Sequence, residues 1–182
     1  MTSTAGELST ASRSAGVRSP VAVGKTVVYA ALGVGHIVAR EKKRVDGTSR
    51  DSVVVELVSG LRVTLSVEQA TERLRPVADA SQVEAVRLIL SAEPRARTGQ
   101  WTQRHRETKA KLAAGRPTDL AEIVRDGEPF QQSARLSPAE RGVYLQARTL
   151  LVRELCFARK VEEDEAEAWI EAQIVAEGNG AA

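Results

Sequence analysis

The residues best suited to contact chemistry are gathered between Thr98 and Gly115, in the stretch TGQWTQRHRETKAKLAAG. Trp101 is one of two tryptophans in a chain that is only 3% aromatic. Arg104, His105, Arg106, Lys109 and Lys111 follow it, with Arg95 and Arg97 upstream and Glu107 as the one acid. On a helix, positions 101, 104, 105, 108 and 112 fall on one stripe, so an indole, a guanidinium and an imidazole share a face. Cations neutralise phosphates, and a flat ring among them can stack on a base or wedge between base steps, so the pattern suits nucleic acid. The plainer reading of the same segment is structural, with Trp101 anchoring the helix to its neighbours and the charges solvated.

Other chemistry finds no foothold. Val23-Gly24-Lys25-Thr26 has the ending of a phosphate-binding loop, but Ser19 stands where that loop needs glycine, and β-branched residues follow in place of a helix. Gly33-Val34-Gly35 lacks a third glycine and a following helix, so it reads as a bulge or turn. His36, His105 and Cys156 are too few and too scattered for a zinc site. No nucleophile, base and orienting acid fall together. The expectation is a protein that is not an enzyme, with no metal and no cofactor.

The elements that must position the Trp101 stretch change character along the chain. Met1–Pro20, rich in Ser, Thr, Ala and Gly, has no hydrophobic period and is expected to be a disordered tail. Val23-Gly24, Thr26–Tyr29, Gly33–Val38, Val53–Val58 and Leu61–Leu65 read as short strands, with Ser59-Gly60 as a turn. Glu41–Asp51 reads as a polar hairpin with Asp46-Gly47 at its tip. So many short strands suggest a small, strongly bent antiparallel barrel of the SH3-like or Tudor-like kind, too small to be stable without packing on something else.

After Pro76 the period becomes helical. Ser81-Gln82-Val83-Glu84 has the form of a capping box, with Val83, Val86, Ile89 and Leu90 on one stripe, and Glu93-Pro94 ends that helix. The Trp101 helix is expected to close at Gly115. A short helix is expected from Thr118 to Arg125, then a loop from Gly127 to Arg135. Ser137-Pro138-Ala139-Glu140 places serine at the N-cap, proline at N1 and glutamate at N3, and launches a helix carrying Tyr144, Ala147, Leu151, Leu155 and Ala158. A last acidic helix carries Ala166, Trp169, Ile170 and Ile174, with Trp169 as a core residue. The fold expected is α+β with segregated elements: a tail over 1–20, a barrel module over 21–77, a helical module over 78–177 and a frayed end over 178–182.

Charge is distributed unevenly. The net charge of +2 gives no global basicity, yet Pro94–Arg116 holds seven Lys or Arg against one Glu, while Val161–Glu177 holds seven acids and no base. The molecule should therefore show two faces of opposite sign. Glu162–Glu165 read as a solvated part of the acidic one. The single cysteine excludes an internal disulfide, reads as a small buried hydrophobe and suits a reducing compartment. No apolar run reaches membrane-span length and no signal-peptide segment opens the chain, so a cytoplasmic protein is expected.

From about Val21 to Ile174 the chain resembles the CarD/CdnL family of bacterial RNA polymerase-binding transcription regulators. The resemblance is carried by Val23-Gly24 with Thr26–Tyr29, by Trp101 with Arg104 and Lys111-Leu112-Ala113 to Gly115, and by Leu120–Asp126. It continues through Leu136-Ser137 with Glu140, Ala147-Arg148, Leu151-Val152 and Glu154-Leu155, without a gap from Trp101 on. It implies a Tudor-like domain that binds the lobe of the RNA polymerase β subunit by adding strand to strand. It also implies a helical domain that meets promoter DNA at the upstream edge of the transcription bubble. Trp101 matches the wedge tryptophan of the family, Arg104, Arg106 and Arg141 fall on basic positions of the DNA-facing surface, and Lys43 falls on a basic position of the polymerase-facing one. A monomer that joins the nucleoid through polymerase is expected.

The chain departs from that pattern in places. The family's Tyr-Pro-x-His-Gly is Tyr29-Ala30-Ala31-Leu32-Gly33, an arginine of the polymerase-facing strand is replaced by Thr64 (Leu65 if the gap near Gly60 is set differently), and a basic position after the wedge tryptophan is Gln103. These changes bear on the polymerase contact more than on the DNA contact. The rival is an adaptor that binds polymerase or another protein without using DNA, such as a free-standing relative of the polymerase-binding module of transcription-repair coupling translocases. The two differ in whether Trp101 is exposed on the basic face or buried among Val143, Leu151 and Ile170.

Overall fold

The computed structural model describes residues 21–45 and 48–175. The tail expected up to Pro20, the Asp46-Gly47 tip and the frayed end expected from Gly178 lie outside the described residues.

Five strands, β1 (Thr26–Tyr29), β2 (Gly33–Val45), β3 (Thr48–Leu57), β4 (Arg62–Ser66) and β5 (Leu74–Arg75), form one antiparallel sheet in the order β4-β3-β2-β1-β5. Alternation puts Val53, Val55 and Leu57 of β3 on one face, where they pack with Val27, Ile37 and Leu65. A register shift between Ile37 and Ala39 marks a bulge, which bends the long β2–β3 ribbon. The polar residues from Glu41 to Val45 and from Thr48 to Asp51 continue this pairing as strand, out to Val45↔Thr48.

Neither β5 nor the helix before it, α1 (Val67–Arg73), is among the elements expected from periodicity. A capping box starts α1: the Gln69 N–H donates to the Ser66 hydroxyl, and the Gln69 side chain accepts from the Ser66 N–H. Ala70 then plugs the barrel core between the edge strands. Leu74-Arg75 turns back to pair with β1.

The helical part comprises α2 (Ala80–Leu90), α3 (Trp101–Ala114), α4 (Pro117–Gln132), α5 (Pro138–Arg159) and α6 (Glu163–Val175). Leu120, Val124, Ala147, Leu151, Leu155 and Ile170 lie at the centre of its core. Two expectations need correction. The cap of α2 is Asp79 with Gln82, not Ser81 with Glu84; the Glu84 carboxylate instead holds Arg87. The segment from Gly127 to Gln132 is not loop but the last turns of α4, with Pro129 inside the helix. Proline removes a backbone donor there, and tertiary contacts outweigh that loss. Gly127 leaves room for the Tyr144 ring where a side chain would clash, Glu128 accepts from the Tyr144 hydroxyl and from Arg148, and the Arg97 guanidinium sits 3.8 Å above the Phe130 ring.

The two parts pack on each other. Val28 and Val34, partners across β1 and β2, are buried outside the barrel cluster, on the side where α5 meets β2. Arg75 of β5 donates from Nη1 to Glu154 Oε1 at 2.5 Å and from Nη2 to Glu154 Oε2 at 2.7 Å. Its Nη2 also donates to the Gly115 carbonyl, the C-cap of α3, at 2.6 Å. Glu154 is 1% exposed and accepts in addition from the Ala78 N–H at 3.1 Å. A carboxylate so deeply placed is tolerable because three donors converge on it.

Candidate nucleic-acid interface

The helix that carries Trp101 has little apolar surface of its own; among its residues only Leu112 is buried. Its sequence is rich in good helix formers, and its position is fixed from outside. At the C-terminal end, Lys111 donates to Glu122 at 2.6 Å and Gly115 adopts the left-handed conformation, φ 61, against the Ala30 backbone, where no side chain fits. At the N-terminal end, Trp101 is the first helical residue and Gln100, the N-cap, makes no side-chain bond. The first N–H groups of α3 thus lack a side-chain cap and are suited to a phosphate oxygen.

Trp101 is 43% exposed and does not join the helical core. Its indole stacks on His105 with ring centroids 5.0 Å apart and planes 8° from parallel. The indole lies close enough to Glu140 on α5 to act on its carboxyl. Burial pushes the Glu140 carboxyl up, but the Ser137 hydroxyl and N–H, Arg97 and this indole N–H outweigh it, and the carboxyl lies below the usual carboxylate range. Glu140 therefore caps α5 beside the tryptophan.

Ion pairing sorts the cations of the region. Arg95 pairs with Glu122 at 2.9 Å, Arg97 with Glu140 at 3.3 Å, Lys111 with Glu122 at 2.6 Å and Arg116 with Asp119 at 2.6 Å. Among the described residues, Arg104, Arg106, Lys109 and Arg141 have no carboxylate partner. Arg104 donates to the Gly99 carbonyl, which folds it over the start of α3, and Arg106, Lys109 and Arg141 are exposed. Arg141 follows Glu140 in the first turn of α5, and Glu140 lines one cavity with Arg104 and His105, so Arg141 lies at the same end of the molecule. Lys109 belongs with these cations although no motif singled it out; lack of a partner, the signal that marks it, is not written in the sequence.

Chemistry elsewhere is structural. Arg148 ties α4 to α6 through Glu128, Glu167 and Glu171. Burial and Glu128 push the Tyr144 hydroxyl up to about 12, so it remains a donor. Trp169 packs against the helical core with Arg159 4.7 Å over its ring. Cys156 is only partly buried, and burial and then Glu163 and Glu162 raise its thiol, which disfavours the thiolate.

On the sheet, β4 has a neighbour on one side only, since no pairing joins it to β5 among the described residues. Thr64 is exposed on β4, opposite Val54, whereas Leu65 points into the core. Lys43 lies on β2, far along the ribbon. The two barrel residues are thus on strands separated by β3. No described helix is long and apolar enough to cross a membrane.

This division into a sheet module and a helical module agrees with comparison to known proteins. Residues 21–78 match the family model described as the CarD-like/TRCF RID domain, and residues 85–171 match the one described as the CarD C-terminal domain. The chain is also similar to "Putative transcription factor YdeB" of Bacillus subtilis (strain 168), 24% identical over 143 residues, which cover 78% of this chain and 94% of that one. With both modules matched in order, and an antiparallel Tudor-like sheet followed by helices, the chain belongs to the CarD family of transcription regulators.

Proposed function

We propose that the protein binds the RNA polymerase β subunit through its sheet module, residues 21–77, and stabilises the promoter open complex by wedging Trp101 of its helical module, residues 78–177, at the upstream edge of the bubble. The observation that carries this reading is the exposed indole at the N-terminus of α3, near Arg104, Arg106 and Arg141, which have no carboxylate partner among the described residues. Arg104, Arg106 and Arg141 meet phosphates, with Lys109 beside them, and contacts of this kind position without reading sequence. The free edge of β4, with Thr64 outward, accepts a strand of the β lobe, and Lys43 serves the same contact from further along the sheet, on β2.

Tethering explains why a net charge of +2 suffices. Once the sheet is on polymerase, the effective concentration of α3 at the bubble replaces strong intrinsic affinity for DNA. Stacking of one ring is worth about 1–3 kcal/mol, and each 1.4 kcal/mol that favours the open over the closed state shifts that equilibrium about tenfold. The protein acts as a monomer in the cytoplasm, one copy for each polymerase. The exposure of Trp101 supports this reading over an adaptor that ignores DNA.

The test is open-complex lifetime on a ribosomal-RNA-type promoter. Trp101→Ala should shorten it about tenfold while polymerase binding is retained. An unchanged lifetime would remove the wedge.

A further inference from the structure

Behind the Trp101–His105 stack lies a cavity of about 270 Å³, open on one side, between α3, α4, the first turns of α5 and the segment over residues 95–98. Its relation to Trp101 is direct, because His105, on which the indole stacks, lines it together with Glu140. Ile123, Leu136 and Val143 give it an apolar floor, and the Tyr144 ring forms part of its wall. Arg104, without a carboxylate partner among the described residues, stands in its lining.

These are the features a nucleobase requires. Its faces need an apolar or aromatic surface, its edge needs hydrogen-bonding groups, and the phosphate it carries needs a cation. Asp126 and Glu140 bring acceptors into the lining, and Arg104 and Arg97 bring donors. The volume lies just under the ~300 Å³ at which small-molecule sites begin, so the cavity suits one base.

We propose that this cavity receives a single unpaired base of the melted strand, extruded past Trp101 as the ring enters the junction. The proposal rests on the wedge reading and adds the destination of the base that the wedge displaces. Extrusion is least costly for a base that has already lost its partner, which confines the site to the edge of melted DNA. The base reaches the floor between the α3 stripe and the first turn of α5, with His105 separating it from the indole.

The test uses the full chain and forked duplexes that differ only in carrying a base or an abasic site at the first unpaired position, each strand in turn. The wild type should bind one abasic fork about tenfold more weakly than its base-bearing counterpart. Thr108→Met, which grows a side chain from α3 into the cavity, should bind the two forks equally and fully paired duplex as before. A melting curve establishes that the variant is folded. Independently of any variant, 5-iodouracil at that position should cross-link on irradiation to the peptide containing Tyr144 or to His105. Absence of an abasic penalty on both strands, or cross-links that avoid the cavity lining, overturns the proposal.

The wedge reading is tested separately on the same DNA. Trp101→Ala should lose preference for fork over duplex, and a retained preference sinks the wedge whatever the cavity does. Titration with deoxyadenosine monophosphate distinguishes the sources of a base. Saturable shifts at Thr108 and Ile123 without an abasic penalty would assign the cavity to a free nucleotide and overturn the strand as its ligand.

Discussion

Arg75 and Glu154, 79 residues apart, form a bidentate ion pair that joins the last strand of the sheet to the C-terminal half of α5. Because the same guanidinium also holds the Gly115 carbonyl, one side chain connects the sheet, the longest helix and the end of the helix that carries Trp101. The sheet and the tryptophan are thereby set at a fixed separation.

Removing one partner of such a pair leaves a buried charge uncompensated. Glu154→Ala should cost about 3–5 kcal/mol, read as a loss of unfolding free energy in urea. Replacing both residues, Arg75→Met with Glu154→Leu, should restore much of that stability. It should not restore open-complex lifetime, because apolar packing does not reproduce the hold on Gly115. Equal recovery of both properties would show that the pair has no role in setting the separation.

Gly115 and Gly60 offer a comparison in backbone strain. Both have positive φ, 61 and 85, but a side chain at Gly60 meets nothing within 4 Å whereas one at Gly115 runs into the Ala30 backbone. Gly60→Ala should cost about 1–2 kcal/mol, and Gly115→Ala clearly more, since the β1–β2 connection at Ala30 must shift away from α3. Thermal melts of the two variants decide this, and similar losses would mean that the junction at Ala30 yields easily.

Salt dependence separates the free cations from the paired ones. Arg106→Ala and Lys109→Ala should each reduce the slope of log affinity for DNA against log salt by about 1. Arg116→Ala, which removes a partner of Asp119, should leave that slope unchanged. A slope that falls equally for all three would show that ion pairing within the protein does not withhold Arg116 from phosphate.

The Glu140 carboxyl sits below its ordinary value of 4.5 in the folded protein. A group whose value is depressed by folding stabilises the fold above its unfolded value, and that contribution is lost as pH falls through the folded one. Stability should therefore decline on acidification below pH 4.5, with the start of α5 and the Trp101 environment affected together. In a Trp169→Phe background, Trp101 fluorescence should change over this range, and Glu140→Gln should flatten the response. A change centred above pH 4.5 would point to a different group.

What could be read from the sequence was whatever depends on near neighbours. Ser137, Pro138 and Glu140 cap α5 as their types dictate, and Gly115 closes α3 in the left-handed conformation that glycine favours. Asp79 and Ser81 both begin a pattern that ends in Gln or Glu three residues on, and periodicity alone did not separate them. Gly127 and Pro129 argue locally against a helix, and only Tyr144, Arg148 and Arg97, brought in from other segments, hold α4 together there. The same limit applies to the interface. The seven cations between Pro94 and Arg116 look alike in sequence, and the acids that occupy four of them lie on α4 and α5. Arg75 and Glu154 carried no local sign of each other.

His105 covers one face of the Trp101 indole, which leaves the ring a single side with which to stack. A tool with one working side has a direction. It can serve a strand end only when approached from that side, and the opposite boundary of the same opening would present its bases to the occupied one.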